Sequence, residues 1–456
     1  MAHPYMPSST PEATSAMLRA IGARDVDELF EQIPADHRLA RPIALPPGVR
    51  AEATLRRHLR DLLSRNDTCA DNRNFLGAGC WQHHVPAVCD EIASRAEFLT
   101  LPWGTPSADR GRNQAWYEYA SQLGELVGME FVGLPVHSWG AAAGHAIRMA
   151  ARMNGRRRVV VPGTLDPERL AVIRNLCGTD IDVVPVGQSA GRIDLADLRA
   201  KLTLDAAAVY LETPNYFGVI ETDAAEIIDI AHRLGAEAVV GVDPISLGIL
   251  APPPEYGADI VVGTTQPLGV HMNAGAGVGG FIATRDEERY ARGYPTLQVG
   301  LCPTTTPGER AFGTTLSHQT SDGSRADGDD RTGNPGYRWA VVNAAYLALM
   351  GPRGFAEVGE TILRNSHYAA ARIGSIPGLR VRWPGFFKEF VVDFTDTGKT
   401  VTEVNAFLRR QGIFGGKDLS ADFPQFGQAA LYCVTEVHTA DDIAALVAAL
   451  TEAVTA

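Results

Sequence analysis

Lysine is scarce in this sequence. It supplies only four of the 41 basic residues, at Lys201, Lys388, Lys399 and Lys417, and arginine supplies the rest. Any chemistry that forms a covalent bond to a lysine amine therefore has few candidates. Acidic residues outnumber basic ones and leave a net charge of −12, which argues against a nucleic-acid or anionic-membrane surface.

Several other signals are missing. The six cysteines show no CxxC pair and no metal-ligand spacing, so we expect reduced thiols in a cytoplasmic protein without a metal site. No apolar run approaches membrane-spanning length, and the N-terminus lacks a signal-peptide core. No GxGxxG fingerprint follows the first predicted strand of the α/β region, which weakens a dinucleotide-binding interpretation.

The pattern that is present is an alternation of strands and helices. Apolar, β-branched runs such as RVVVPG, AAVYLETP, AVVGVD and DIVVGTT alternate with amphipathic stretches such as PERLAVIRNLC and AAEIIDIAHRLG. This alternation predicts right-handed βαβ units and a mostly parallel sheet. We predict a helical arm over residues 1–65, a large α/β domain over 66–336, and a small α+β domain over 337–456.

The most informative stretch runs from Ala238 to Phe281. Its first apolar run ends at Asp243, and an acid at the carboxyl end of a parallel strand points into the crevice where such sheets bind ligands. A strand-end cap is the plainer interpretation of Asp243. An acid after one strand and a lysine after the next would form the frame of a pyridoxal phosphate site. Gln266 stands near the expected lysine position, so the frame lacks its covalent anchor.

Two further segments carry candidate site residues. The turn at Ser138, Trp139 and Gly140 enters a helix whose free backbone N–H groups suit a phosphate, although Gly and Ala here equally suit close packing on the sheet. The loop before Pro86 contains Trp81, His83 and His84; adjacent histidines point in different directions, so a shared metal is not expected. Channel lining and simple packing are both open for this loop.

Long strings of this sequence resemble one known family. VVGVDPISLG, GADIVVG-xx-QPLG, TPNYFGVIE, NRNFLGAGCWQHHVPAV, EFLTLPWGTP and LMGPRGFAEVGE are similar to subunit 1 of the two-subunit glycine dehydrogenase (decarboxylating), the P-protein of the glycine cleavage system. EFVVDF, GIFGGKDLSADFP and LYCVTE extend the resemblance towards the end of the chain. It covers almost the whole chain.

The resemblance implies a fold and two subunits with different roles. It implies a large domain of the pyridoxal-phosphate-dependent transferase type, fold type I. It also implies a second, lysine-bearing subunit that holds the cofactor, and a lipoyl carrier protein that receives an aminomethyl group. On this interpretation Ser138, Trp139, Gly140, Asp243 and Gln266 surround a residual cofactor site.

A second predicted set faces substrate or the partner subunit. It comprises the loops Phe75–Pro86 and Leu99–Pro106 and the side chains Trp81, His83, His84, Trp103 and Asn215. The helical arm is expected to wrap the partner, with a strap across its own domain as the other interpretation.

The sequence also departs from the family pattern. In the loop before Pro86, the family's sequence pattern is aromatic-Asp-His-aromatic, and this chain has Trp-Gln-His-His instead. The turn at His137–Ala141 lacks the Asp and the Thr of the family pattern. The polar, glycine-rich segment Ser317–Gly336 differs from the family's sequence in the same region. These departures keep open a diverged paralogue that acts on another amino acid or ligand, or a non-catalytic scaffold.

Overall fold

The computed structural model describes residues 5–455 except 7, 40, 42, 100–110, 316–329, 331 and 333–335. The chain divides into two compact units, residues 1–67 and 68–456. Across the described ranges, no helix is both long enough and apolar enough to cross a bilayer.

Among the described residues of the first unit, the α-helices are α1 (Pro11–Ile21) and α2 (Glu52–Leu63). Thr10 accepts a hydrogen bond from the backbone of Ala13 and Pro11 occupies the first turn, which is the expected chemistry of a helix start. No residue of α2 is buried, and its leucines are exposed. Since leucine is expected to pack away from water, α2 presents an apolar stripe that the described residues of its own unit leave exposed.

The second unit carries the remaining elements in the following order. They are β1 (Arg73–Asn74), α3 (Ala87–Ala93), α4 (Arg112–Val127), β2 (Phe131–Val132), α5 (Trp139–Asn154), β3 (Arg158–Pro162), α6 (Pro167–Cys177), β4 (Asp182–Val186), β5 (Gln188–Ser189), β6 (Arg192–Ile193), α7 (Leu195–Lys201), β7 (Ala206–Glu212), α8 (Ala224–Arg233), β8 (Glu237–Val242), β9 (Ile260–Thr264), β10 (Gly280–Thr284), α9 (Glu288–Gly293), β11 (Gln298–Pro303), β12 (Arg310–Thr315), α10 (Tyr337–Gly374), β13 (Arg380–Val381), β14 (Glu389–Asp393), α11 (Val401–Arg410), β15 (Ile413–Phe414), β16 (Lys417–Asp418), β17 (Ala429–Cys433) and α12 (Ala440–Thr455).

The large sheet has seven strands in the order β2-β10-β9-β8-β7-β3-β4. Strands β9, β8, β7, β3 and β4 run parallel, and β10 runs antiparallel to both of its neighbours. Every residue of β7 and β9 is buried, because the sheet is covered on both faces. The predicted α/β fold with a mostly parallel sheet is therefore confirmed.

The C-terminal part of this unit has its own sheet and core. Four antiparallel strands in the order β13-β14-β17-β16 pack against α11 and α12 through a cluster that includes Phe390, Leu408 and Leu446. The long helix α10 leads into it and bends at Gly351, which has φ 56° and is followed by Pro352. The segments KEFVVDFTD and AALYCVTE contain β14 and β17, respectively.

Candidate functional site

Asp243 is the first residue after β8, at the carboxyl end of the parallel sheet. Its Oδ1 accepts a hydrogen bond from the backbone of Ile245 at 3.1 Å, so it caps the short 3₁₀ helix Pro244–Gly248. Its Oδ2 lies 2.7 Å from Nζ of Lys388. The side chain therefore serves as a strand-end cap and also forms one half of a buried ion pair.

Lys388 is the residue that sequence reasoning missed. It immediately precedes β14 of the small sheet and is only 2% exposed, although 145 positions separate it from Asp243 in the chain. Its ammonium lies 3.3 Å from the ring centroid of Trp81 and 3.1 Å from Nε2 of His83. The available signal was a pair of charges, Lys388 and Glu389, inside the apolar run FFKEFVV, since charges enter such runs only when they are paired.

His83 connects this lysine to a second carboxylate. An ammonium can only donate, so Nε2 of His83 accepts from Lys388 and its Nδ1–H donates to Glu436 at 2.8 Å. The backbone N–H of His84 donates to the other oxygen of Glu436 at 2.7 Å. Burial alone would raise the pKa of Glu436, but the facing imidazole and the His84 N–H outweigh it and lower the pKa to about 2. Glu436 therefore stays ionised.

Gln266 lies just after β9, where the sequence lacks a lysine. Its side chain accepts from the backbone N–H of Trp81 at 3.2 Å and donates to the carbonyl of the same residue at 3.0 Å. A third hydrogen bond runs to the carbonyl of Val270 at 3.2 Å. Gln266 thus holds the loop that carries Trp81 and His83 against the large sheet. His84, in contrast, is exposed.

The turn at Ser138–Gly140 begins α5 as predicted. Ser138 caps the helix by accepting from the backbone of Ala141 at 3.2 Å. A Cβ on Gly140 would lie 3.1 Å from a side-chain carbon of Val172, so this glycine permits close packing of α5 on α6. The indole of Trp139 lies under the guanidinium of Arg169, with 3.8 Å between the guanidinium carbon and the ring centroid.

Arg169 is held in place by a buried carboxylate. It donates to both oxygens of Glu212 at 2.6 Å, and Tyr210 donates to the same carboxylate at 2.6 Å. Both bonds to Glu212 come from one guanidinium nitrogen, Nη1, and they hold Arg169 in this buried cluster beside Tyr210. The orientation of the Trp139 ring beneath it is therefore set by a rigid buried network.

Asn215 and Glu389 shape the remaining wall. Asn215 accepts from the backbone N–H groups of Phe217 and Val219 and so organises the turn after β7. Glu389 accepts from the backbone of Ala78 at 2.6 Å, and a Cβ on Gly77 would lie 2.1 Å from its Oε1. Gly77 therefore lies where a side chain would collide with Glu389. Burial raises the pKa of Glu389 to about 7 against the opposing charge of Lys388.

These side chains line one pocket. Trp81, Trp139, Arg169, Asn215, Asp243, Lys388 and Glu389 all belong to its wall. Ser138 and Gln266 are not among its lining residues, and Trp103 lies outside the described residues. Among the described residues, no group of three or more His, Cys, Asp or Glu side chains could hold a metal ion.

The pocket does not fit pyridoxal phosphate. Its free space is about 10 Å³, room for at most about one water molecule, whereas small-molecule sites span roughly 300–1,000 Å³. The acid that would meet a pyridine nitrogen is already paired with Lys388. No step of any reaction is therefore assigned to a cofactor in this pocket.

The topology nevertheless defines the structural class. A mostly parallel seven-stranded sheet with one reversed strand, an acid ending β8 and a small C-terminal antiparallel sheet is the architecture of fold type I pyridoxal-phosphate-dependent enzymes. A sphingosine-1-phosphate lyase of Burkholderia pseudomallei shares this fold at a TM-score of 0.64 and 18% identity, covering 93% of this chain and 95% of its own. The model of the glycine cleavage system P-protein family matches residues 3–450, and this chain belongs to that family.

Two proteins similar in sequence to this chain align with it over almost their full lengths. The "Probable glycine dehydrogenase (decarboxylating) subunit 1" of Staphylothermus marinus is 36% identical over 464 aligned residues, covering 99% of this chain and 98% of its own length. The protein of the same name from Pyrococcus horikoshii is 35% identical over 461 residues and covers both chains completely. A crystal structure of glycine decarboxylase (P-protein) of the glycine cleavage system, in inhibitor-bound form, superposes with a TM-score of 0.88 at 32% identity, covering 99% of this chain and 100% of that one.

Proposed function

We propose that this chain is the subunit 1 component of a two-subunit glycine dehydrogenase (decarboxylating) and acts with a second subunit that carries the Schiff-base lysine. The supporting observation is the combination of full-length agreement with proteins named subunit 1 and a pocket whose one lysine is engaged by Asp243. Pyridoxal phosphate, which serves such enzymes as an electron sink, would be held by the second subunit. The aminomethyl product would pass to a lipoyl carrier protein.

The helical arm is proposed as one contact with that partner. Leu55, Leu59, Leu62 and Leu63 on α2 are between 41% and 65% exposed. An exposed apolar stripe of this kind marks a protein–protein contact. Obligate interfaces bury on the order of 2,000 Å² or more, and a helix laid along a partner contributes to such an area.

The loop Phe75–Pro86 is proposed as a second contact, together with Leu99–Pro106. Within it, Trp81 and His83 are buried against Lys388, while the side chain of His84 is exposed. We therefore propose that His84 faces the partner and that Trp81 and His83 hold the shape of the loop that presents it. Asn215 would support the adjoining wall from within this chain.

A scaffold role in a diverged paralogue is the second candidate. It is favoured by the closed pocket, which leaves this chain no cofactor-sized space of its own. The two candidates differ in what the assembled complex does with glycine.

Both candidates are consistent with a cytoplasmic location, which we propose because all six cysteines are free.

Co-expression tests the proposal. A tagged copy of this chain is produced together with a subunit 2-like chain that carries the Schiff-base lysine, and the molar mass of the purified species is measured by light scattering. We expect a heteromer that releases carbon dioxide from carboxyl-labelled glycine in the presence of a lipoyl carrier protein. The control is a second subunit without its lysine, which should assemble but release nothing.

Two results would count against it. A chain that purifies only as a homodimer, with no change of mass and no glycine decarboxylation when the subunit 2-like chain is added, contradicts the heteromer. A heteromer that forms normally but decarboxylates a different amino acid supports the diverged paralogue instead.

A further inference from the structure

The feature that the proposed function leaves unexplained is the buried cation in the pocket. Lys388 comes from the small C-terminal sheet, yet its ammonium lies at the end of β8 on the large sheet, 2.7 Å from Asp243. To lose covalent chemistry, a subunit needs only to lose the lysine that would follow β9. This chain lacks that lysine and, in addition, has Lys388 paired with Asp243.

We propose that Lys388 is a built-in replacement for the ring nitrogen of pyridoxal phosphate, and that it closes the pocket of this chain to the free cofactor. The inference concerns this chain alone and stands whether or not the proposed partner exists. It makes Lys388 a positioning residue with no part in covalent chemistry.

The surroundings of the ammonium match those of a ring cation. Asp243 supplies the carboxylate that a protonated pyridine nitrogen would need, and it is part of the pocket wall. The face of the Trp81 indole lies 3.3 Å away and stabilises a cation through its ring electrons. The acceptor nitrogen of His83 completes the set. All three contacts surround the ammonium of Lys388 in a place with almost no room for water.

The space for the rest of the cofactor is filled by aromatic side chains. Trp81 and Trp139 pack edge to face with 6.3 Å between their ring centroids. Trp139 is fixed from the other side by Arg169, and the backbone of Trp81 is fixed by Gln266. Because Arg169 lies against the ring of Trp139 and Lys388 against the ring of Trp81, a ligand could enter only by breaking these buried contacts.

Three separate regions of the chain therefore close the pocket together. They are the loop containing Trp81, the start of α5 at Trp139, and the segment before β14 at Lys388. The result is about 10 Å³ of free space at the strand-end crevice where this fold places its ligands. The same contacts tie the small sheet to the large one across the crevice.

Ligand binding gives the first test. The full-length chain is titrated with pyridoxine 5′-phosphate up to about 1 mM, a weak-affinity limit, while tryptophan fluorescence and heat are recorded. This probe has the ring nitrogen and the phosphate but no aldehyde, so it cannot report bonds formed at surface lysines. We expect no saturable signal. Saturable binding that the substitution Asp243→Asn abolishes would overturn the proposal.

Chemical accessibility gives a second test that needs no variant. Reductive dimethylation of the native full-length chain, followed by peptide mass spectrometry, reports on each of the four lysines separately. We expect rapid modification of Lys201, Lys399 and Lys417 and at least about tenfold slower modification of the buried Lys388, with all four equal after unfolding. Modification of Lys388 at the rate of the other three in the native chain would show that the pocket is open and would overturn the inference.

Discussion

Replacing Lys388 by methionine should destabilise the protein far more than any other lysine substitution. Methionine keeps most of the side chain's apolar volume but removes the ammonium, which leaves the Asp243 carboxylate buried beside an apolar group. The indole of Trp81 loses its cation, and Nε2 of His83 loses its donor. Loss of charge therefore dominates over loss of packing.

The magnitude follows from the burial of both partners. Both side chains are less than 5% exposed, so solvent cannot compensate for the missing partner. Removing one partner from a buried ion pair costs about 3–5 kcal/mol. Asp243→Asn should cost a similar amount, about 3 kcal/mol or more, since it leaves the ammonium without its carboxylate. The double variant removes both charges, and we expect it to cost at least about 2 kcal/mol less than the sum of the single costs.

Urea unfolding of the four proteins at neutral pH, followed by circular dichroism, measures this cycle. The matched control is Lys417→Met, because Lys417 pairs with Asp422 at 3.3 Å on a partly exposed surface and should cost no more than about 1 kcal/mol. If Lys388→Met costs as little as the control, or if the two single costs simply add, the ion pair does not exist as described.

Three further outcomes are expected. Because burial raises the pKa of Glu389 from its ordinary 4.5 to about 7, its contribution to stability is complete below about pH 4.5 and is lost as pH rises to about 7. The stability of the wild type relative to Glu389→Gln should therefore fall by roughly 3 kcal/mol over that range in parallel urea series, and a difference independent of pH would contradict the assignment. Leu59→Asp on the arm should weaken capture of the second subunit at least about tenfold without lowering the melting temperature of the chain alone, whereas Leu204→Asp, at another exposed leucine, should change neither. Borohydride reduction of the chain purified alone should leave no pyridoxyl group on any lysine, and a mapped adduct on Lys388 would disprove a lysine held by Asp243.

The candidate site was predictable where it depends on short stretches of chain. Asp243 ends its strand because an apolar, β-branched run stops there, and Ser138 begins a helix because a serine precedes a run of small residues. The absence of a lysine near Gln266 could be read directly. The role of Gln266 could not, because its hydrogen-bonding partner is the backbone of Trp81, 185 positions away.

The sequence by itself determined the alternating α/β architecture, the family and the missing anchor, because periodicity and strand-end chemistry are local properties. Only the tertiary structure decided what fills the crevice. Lys388 precedes a strand of the small sheet and Asp243 follows a strand of the large one. The residues next to them in the sequence do not predict the register of β14 or the approach of the Trp81 loop. An ion pair between distant segments forms only when the tertiary packing brings the two side chains into contact. Burial of a charge is costly unless its partner lies beside it, and this cannot be predicted from neighbouring residues.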